Sequence, residues 1–337
     1  MSTDADAGTR AGQPAPVGQE PAARPALLGP NQYGKAETRV VRVTRDGATH
    51  HIKDLNVSVA LSGDMAEVHY SGSNAHVLPT DTTKNTVFAF AKEHGIASAE
   101  QFALRLARHF VTSQPAIHRA RIRIEEYAWD RVQVPAAADG TPSARPTGPG
   151  DTVPAPHSFV RRGQEVRTTQ VTYDGTAFEV VSGLRDLVVL NTTDSEFWGF
   201  TKDRYTTLAE AYDRILATRV TGCWRFGWNG EGQPPDWDAS YRETRSQLLA
   251  AFAQTYSYSL QQTLYAMGAR IIEHRPEIDE VRFSLPNQHH FLVDLEPFGL
   301  DNDNEVFFAA DRPYGLIEAT VLRPGHQARI PSDLTSP

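Results

Sequence analysis

A single cysteine, Cys223, stands in 337 residues. One thiol excludes a disulfide framework, a thiolate zinc site and a Cys-x-x-Cys redox pair. Beside Trp224 it reads as a small buried apolar residue. Basic residues are also scarce: 33 Lys and Arg against 41 Asp and Glu leave a net charge of −8. Binding to nucleic-acid phosphates needs a basic face instead. No apolar stretch reaches the roughly 20 residues of a membrane span. The first 30 residues lack the apolar centre of a signal peptide, and the final TSP is not a peroxisomal address. The expectation is a cytoplasmic protein with no membrane or nucleic-acid partner. The Asn-x-Ser/Thr matches at Asn56 and Asn191 are then accidental.

What is present is ordinary for a folded chain, with 40% apolar and 22% charged residues, and long enough for two domains. Two stretches depart from that. Residues 1–30, rich in Ala, Pro, Gly and charge, read as a disordered tail. Residues 134–157, VPAAADGTPSARPTGPGDTVPAPH, read as a flexible loop or linker. Domains are expected at 31–152 and 153–325, followed by a C-terminal tail over 326–337.

The two sides follow one plan. TRVVRVTRDGATHHI is a strand, an Asp-Gly turn and a second strand, hence a β-hairpin. NVSVALSGD alternates with period two and puts Val57, Val59 and Leu61 on one face. Ser98 and Gln101 form a capping box at the head of a helix. ARIRIEEYAW sets Ile122 and Ile124 against Arg121 and Arg123 as a half-exposed strand. On the second side, TTQVTYDGTAFEVV is again an Asp-Gly hairpin. Thr207 with Glu210 is the matching capping box, TLAEAYDRILATRV its helix and GCWRFGW a strand. YRETRSQLLAAFAQTYSYSLQQTLYAMGARIIEH is helical, broken near the Tyr-Ser repeat. EVRFSLPNQHHFLVDL and NEVFFAADRPYGLIEATVL close as strands. Thr80 and Thr192 occupy equivalent places, each just after an apolar strand. The class is α+β: antiparallel sheet with helices on one face, the other face and the edges left for a closed oligomer.

GPNQYGKA, residues 29–36, nearly matches the phosphate-binding GxxxxGK[ST]. Ala36, however, has no hydroxyl for magnesium, no strand precedes it, and a strand follows where a helix is needed. Lys35 is by itself a solvated charge at the entrance to a sheet. DSEFWGFTKDRYTTL, residues 194–208, puts Phe197, Trp198, Phe200 and Tyr205 among polar neighbours in a loop, where polar surface residues are the rule.

That loop lies inside LVVLNTTDSEFWGFTKDRYTTLAEAYDR, Leu187 to Arg214, which resembles the signature of the bacterial-type urate oxidase (uricase) family. The matching features are a Thr-Thr-x-Ser-x-Phe run, spaced aromatics, Leu208 and Arg214. YGK at Tyr33–Lys35, TDTTKNTV at Thr80–Val87, SLQQTLY at Ser259–Tyr265 and SLPNQHHF at Ser284–Phe291 resemble the same family in the same order, over residues 31–325. Asn191 stands where the family usually has a basic residue. The resemblance implies the tunnelling (T-) fold: two tandem domains of antiparallel β-sheet plus a helix pair, joined to a partner chain as a β-barrel around a central tunnel. Two barrels stack as a homotetramer. It implies oxidation of urate by O2 and water to 5-hydroxyisourate and hydrogen peroxide in purine degradation, with no metal and no organic cofactor.

The residue roles implied are chemically apt. A guanidinium, Arg214, offers parallel donors to neighbouring acceptors. The Gln261 amide matches an amide-like edge, and Phe197 offers a stacking face. Leu208 closes the pocket, while Trp198, Phe200 and Tyr205 pack to fix the loop. Lys35, Thr80 and His289 form a proton relay that takes a second proton from urate. Asn287 positions dioxygen, and backbone N–H groups at Thr80 or Asp81 and at Leu260 complete the contacts. Asp81 itself shapes a loop. His290 points to the other side of its strand, and His50 and His51 lie at the surface. The resemblance further implies that the Thr80 side and the Arg214 side of each site come from different chains. Two alternatives stand beside this reading. A metal-dependent T-fold enzyme acting on pterin or GTP needs zinc ligands, yet the chain has no His-x-His or His-x-x-x-His. A non-catalytic purine-binding barrel would keep Arg214, Gln261 and Phe197 but could lose Lys35 or Thr80.

Overall fold

The computed structural model describes residues 26–136 and 152–335. Most of the expected N-terminal tail, and residues 137–151 of the expected loop, lie outside them. The strands are β1 (Tyr33–Asp46), β2 (Thr49–Gly63), β3 (Ile117–Glu126), β4 (Trp129–Pro135), β5 (Thr152–Arg161), β6 (Val166–Tyr173), β7 (Phe178–Asn191), β8 (Leu216–Phe226), β9 (Ile278–Pro286), β10 (His289–Leu292), β11 (Phe307–Ala310) and β12 (Leu316–Leu322). The helices are α1 (Ala66–Tyr70), α2 (Thr80–Glu93), α3 (Ala99–Ser113), α4 (Trp237–Gln254) and α5 (Leu260–His274). Eight strands make one antiparallel sheet in the order β1-β2-β3-β6-β7-β8-β9-β12.

Period-two alternation drives this sheet, as the sequence predicts. Leu55, Val57, Val59 and Leu61 of β2, with Ala120, Ile122 and Ile124 of β3, are buried on one face. Helix α3 lays Phe102, Leu106 and Phe110 on them, and Ser98 caps it by accepting from the Gln101 N–H at 3.1 Å. Helix α5 does the same for β9 and β12 through Leu264, Met267 and Ile271. Its approach depends on Gly268, where a Cβ would lie 2.5 Å from Val321 Cγ2. The helical stretch breaks between Gln254 and Leu260, at the Tyr-Ser repeat.

Sheet order exposes a repeat: β1-β2-α2-α3-β3-β6 corresponds to β7-β8-α4-α5-β9-β12. The counterpart of the β1–β2 hairpin is therefore β7–β8, and the second Asp-Gly hairpin, β6–β7, joins the two repeats. In the first copy the turn is only Gly47–Ala48. In the second it has grown into residues 192–215. Thr192 thus begins an enlarged hairpin connection. Thr80 follows no strand; it opens α2.

Three expectations are corrected. TLAEAYDRILATRV is not a helix: it is irregular up to Ile215 and then enters β8. Backbone pairing across the loop wins over local helical bonds, because Phe197 and Ala211 exchange N–H···O bonds of 2.7 and 2.9 Å. Glu210 caps nothing and instead accepts from Lys202 and Tyr212. The ends of the 134–157 segment are not loop, since β4 and β5 pair there as an antiparallel ribbon. Residues 326–335 are not a loose tail either. Ile330 and Leu334 pack on Val181 and Cys223, on the sheet face away from the helices. The buried Glu280 carboxylate accepts the Arg329 and Ile330 N–H groups at 2.9–3.0 Å. Cys223 is buried as expected, and burial pushes its thiol up to about 12.

Candidate active site

Strand β7 ends at Asn191 and the chain doubles back before β8. At the base of that excursion the Arg214 N–H donates to the Ser195 carbonyl at 3.0 Å. The Arg214 side chain then turns inward: Nε donates to Ser195 Oγ at 3.1 Å, and Cζ lies 5.2 Å from the centroid of the Phe197 ring. Phe200 stacks against Phe197, with ring centroids 5.1 Å apart at 15°. Arg214 is half-buried, and among the described residues no carboxylate lies within ion-pair distance of it. Burial lowers its pKa, but a guanidinium keeps its charge at neutral pH. The result is a cation whose terminal nitrogens make no hydrogen bond among the described residues.

Helix α5 supplies the second wall. Ser259 is its N-cap, accepting from the Gln262 N–H at 3.1 Å, while Gln262 Oε1 accepts from the Tyr258 N–H at 2.8 Å. Gln262 is thereby engaged in capping. Its neighbour Gln261 is exposed and makes no side-chain hydrogen bond among the described residues. The Leu260 N–H, in the first turn, is one of the donors a helix start leaves without an internal partner.

The third wall is the break between β9 and β10. The Asn287 N–H donates to Gly315 O, and the Gln288 N–H to Ala217 O, both at 2.8 Å. Thr218 Oγ1 donates to Pro286 O at 2.9 Å. These bonds set Asn287 beside the start of β8, close after Arg214 in the chain. His289 follows on β10, which pairs only with β11. Its pKa is lowered, first by burial and then by the Arg214 and His290 charges. Phe197, Leu208, Arg214, Leu260, Gln261, Asn287 and His289 together line a cavity of about 300 Å³. His290, expected to turn away, lines it too.

Lys35, Thr80 and Asp81 are elsewhere. Lys35 sits on β1 opposite Val59, and the Leu78 N–H donates to Tyr33 OH at 2.9 Å, tying β1 to the approach to α2. Thr80 and Asp81 are exposed in the first turn of α2. Asp81 is therefore a helix residue and not a loop-shaping one. It accepts from Lys84 and Asn85, and its pKa is lowered mainly by Lys84, with a smaller contribution from Lys35. Strands β1 and β8 are first and sixth in the sheet. At about 4.8 Å per step, the two groups of residues are on the order of 20 Å apart within one chain. None of Lys35, Thr80 and Asp81 lines the Arg214 cavity.

Two of the loop aromatics are largely exposed, Trp198 at 51% and Tyr205 at 72%. Within the loop Trp198 stacks on Tyr212 and donates to Glu196, and the Arg204 guanidinium lies over the Tyr205 ring. The residues missed by sequence reasoning are Ser195, Ser257 and Gln262. Gln262 carried a local signal, the Ser-x-x-Gln spacing from Ser259, and Ser195 stood inside the Thr-Thr-x-Ser-x-Phe run without a role being assigned to it.

The uricase family model matches residues 31–172 and 180–318. The chain is 49% identical over 305 residues to the uricase of Arthrobacter globiformis, covering 90% of this chain and 93% of that protein. It is 36% identical over 304 residues to the uricase of Emericella nidulans, covering 87% and 96%. The crystal structure of the Arthrobacter globiformis uricase superposes with a TM-score of 0.81 at 48% identity, over 91% of this chain and 99% of that one. The Bacillus fastidious uricase structure gives 0.72 at 25% identity, over 88% and 94%.

Proposed function

This chain belongs to the uricase family, and we propose that the cavity beside Arg214 is where it holds urate. It is a urate oxidase, with the T-fold of its relatives, acting on urate and dioxygen. The observation that carries the site assignment is the unpaired, half-buried Arg214 over the Phe197 ring. A flat anion rimmed with carbonyl and N–H groups satisfies that arrangement. The guanidinium donates to neighbouring acceptors, the ring stacks, and the unengaged Gln261 amide meets an amide-like edge.

The separation of roughly 20 Å between Lys35 and Thr80 on one side and Arg214 on the other makes the single chain half a site. In this reading a partner chain brings its own Lys35, Thr80 and Asp81 to the Arg214 cavity, within a homotetramer. Exposed Trp198, Tyr205, Leu208 and Tyr212 around the cavity suit burial against such a partner. The two-half organisation belongs to the same proposal, with a division near the β6–β7 turn, where the two matched segments also part.

The chemistry follows from the groups present. Lys35, through Thr80, removes a second proton from urate, and the electron-rich dianion reacts with dioxygen held near Asn287. Neutral His289 passes protons at the other end. Urate, O2 and water then give 5-hydroxyisourate and hydrogen peroxide, a balance that asks for no metal or organic cofactor. Among the described residues no three His, Cys, Asp or Glu side chains gather as a metal site, and no helix is long and apolar enough to cross a membrane. A cytoplasmic location accords with a lone, buried thiol. The test is spectrophotometric. Urate's ultraviolet absorbance should fall with matching release of peroxide, equally with and without EDTA. Persistence of urate, or abolition by the chelator, overturns the reading.

A further inference from the structure

The segment that carries Arg214 and the helix that carries Gln261 are joined at one buried point. Ser195 and Ser257 form a parallel β-bridge, with the Glu196 N–H donating to Ser257 O at 2.7 Å and the Ser257 N–H to Asp194 O at 2.8 Å. Both serines are essentially inaccessible, at 1% and 0% exposure. From Ser195 the bonds run to Arg214, by its main-chain N–H and by Nε. From Ser257 they run to α5. Thr263 Oγ1, itself buried, donates to Ser257 Oγ at 2.8 Å, and Ser257 Oγ donates to the carbonyl of Ser259, the N-cap.

We propose that Ser195 is a positioning residue for urate binding: its hydroxyl fixes the Arg214 guanidinium in register with Gln261 across the Ser195–Ser257 bridge. The chemistry of the anchor matters. Arg214 must be held by one acceptor, through Nε–H alone, while its other N–H groups and its full charge remain for an anion. A carboxylate at position 195 would orient it equally well but neutralise it. A hydroxyl accepts the Nε–H and leaves the charge uncompensated. Engaging Nε leaves the two terminal nitrogens as a fork for paired acceptors on a residue that lines the cavity. Ser195 touches no substrate in this arrangement; it acts through Arg214.

The inference rests on the urate-oxidase reading, so wild-type turnover of urate is measured first; its absence would overturn that reading and leave the geometry of the anchor unaddressed. Given turnover, the decisive experiment is a double-mutant cycle of Ser195→Ala with Arg214→Ala, read as KM for urate, kcat, and the Kd of xanthine, a purine that keeps the planar dione edge. In the wild-type background Ser195→Ala should raise KM and the xanthine Kd about tenfold, the scale of one hydrogen bond to a charged group, with kcat changed much less. In the Arg214→Ala background the same change should have almost no effect, because the group it positions is gone. Ser195→Cys, of similar size with a weak sulfur acceptor, should fall between Ser and Ala, and it carries the cycle if the alanine variant folds poorly. Equal losses in both Arg214 backgrounds, or unchanged KM and Kd in Ser195→Ala, overturn the proposal.

Discussion

Arg214 Cζ lies 5.2 Å above the Phe197 ring, and the two residues are held there by a loop whose strands exchange main-chain bonds at Phe197 and Ala211. A cation over an aromatic face, with no carboxylate within ion-pair distance among the described residues, keeps its charge for an anion. A flat anion that stacks on the ring and turns its edge to the guanidinium gains both a charged partner and a stacking surface.

Arg214→Ala should therefore weaken urate binding far more than it slows the bound complex. Hydrogen bonds to a charged group are worth about 1.5–3 kcal/mol each, so KM should rise by roughly 10- to 100-fold. Steady-state kinetics separate this from the opposite result, a fall in kcat at constant KM.

Lys35→Met and Thr80→Ala act on the base and not on the clamp. Turnover should fall by about 10²- to 10⁴-fold, the usual size of a general-base contribution, while xanthine still binds. Full turnover by Lys35→Met would remove lysine from the relay.

Those two classes of variant allow a test of the shared site. Lys35→Met protein, nearly inactive at any urate concentration, and Arg214→Ala protein, weak at urate concentrations far below its raised KM, should regain activity at low urate when unfolded together and reassembled. Random mixing puts an intact Lys35 side against an intact Arg214 side in on the order of a quarter of sites. Mixed assemblies as inactive as the parents would mean that both sides of a site come from one chain.

His289 owes its lowered pKa to burial first and to the positive charge of Arg214 second. It is neutral at neutral pH, and acid must reach below the ordinary histidine range to charge it. Removing a nearby positive charge favours the protonated form, so Arg214→Ala should raise the pKa of His289. Histidine hydrogen–deuterium exchange, read by mass spectrometry across pH, gives the direction. A fall, or no change, would contradict the proximity of the two groups.

Glu280 is fully buried and accepts from Arg225 Nε at 3.0 Å as well as from the Arg329 and Ile330 N–H groups. Glu280→Ala leaves the buried Arg225 guanidinium with Asp279 as its one carboxylate partner and strands two N–H donors, at a cost of about 3 kcal/mol. The melting temperature should fall, and limited proteolysis should open the segment 326–335. A variant as stable and as resistant as wild type would show that Ile330, Leu334 and the bonds of Asp333 and Thr335 to Arg123 and Arg282 hold this segment without Glu280.

The sequence carried the elements whose signals are local. Alternation around Val57, Val59 and Leu61 marks the core face of β2, Ser98 and Gln101 mark the start of α3, and the Tyr-Ser repeat marks the break before α5. The motif matches pointed to Phe197, Arg214, Leu260, Gln261, Asn287 and His289, which do line one cavity. Thr207 and Glu210 misled because a capping-box spacing says only that a helix could begin. The pairing of Phe197 with Ala211, distant in sequence, decided that it does not.

Composition and spacing by themselves determined an α+β chain and its amphipathic faces, because these depend on neighbours within one or two turns; the residues that suit a planar anion came from the resemblance of its motifs to a family. Which strands lie side by side depends on pairing between distant segments. That order alone put Lys35 on an edge strand five steps from Arg214, joined Ser195 to Ser257, and folded residues 326–335 back onto the sheet. Each of these is a long-range hydrogen-bonding or packing choice, for which a short stretch of sequence holds no periodic signal.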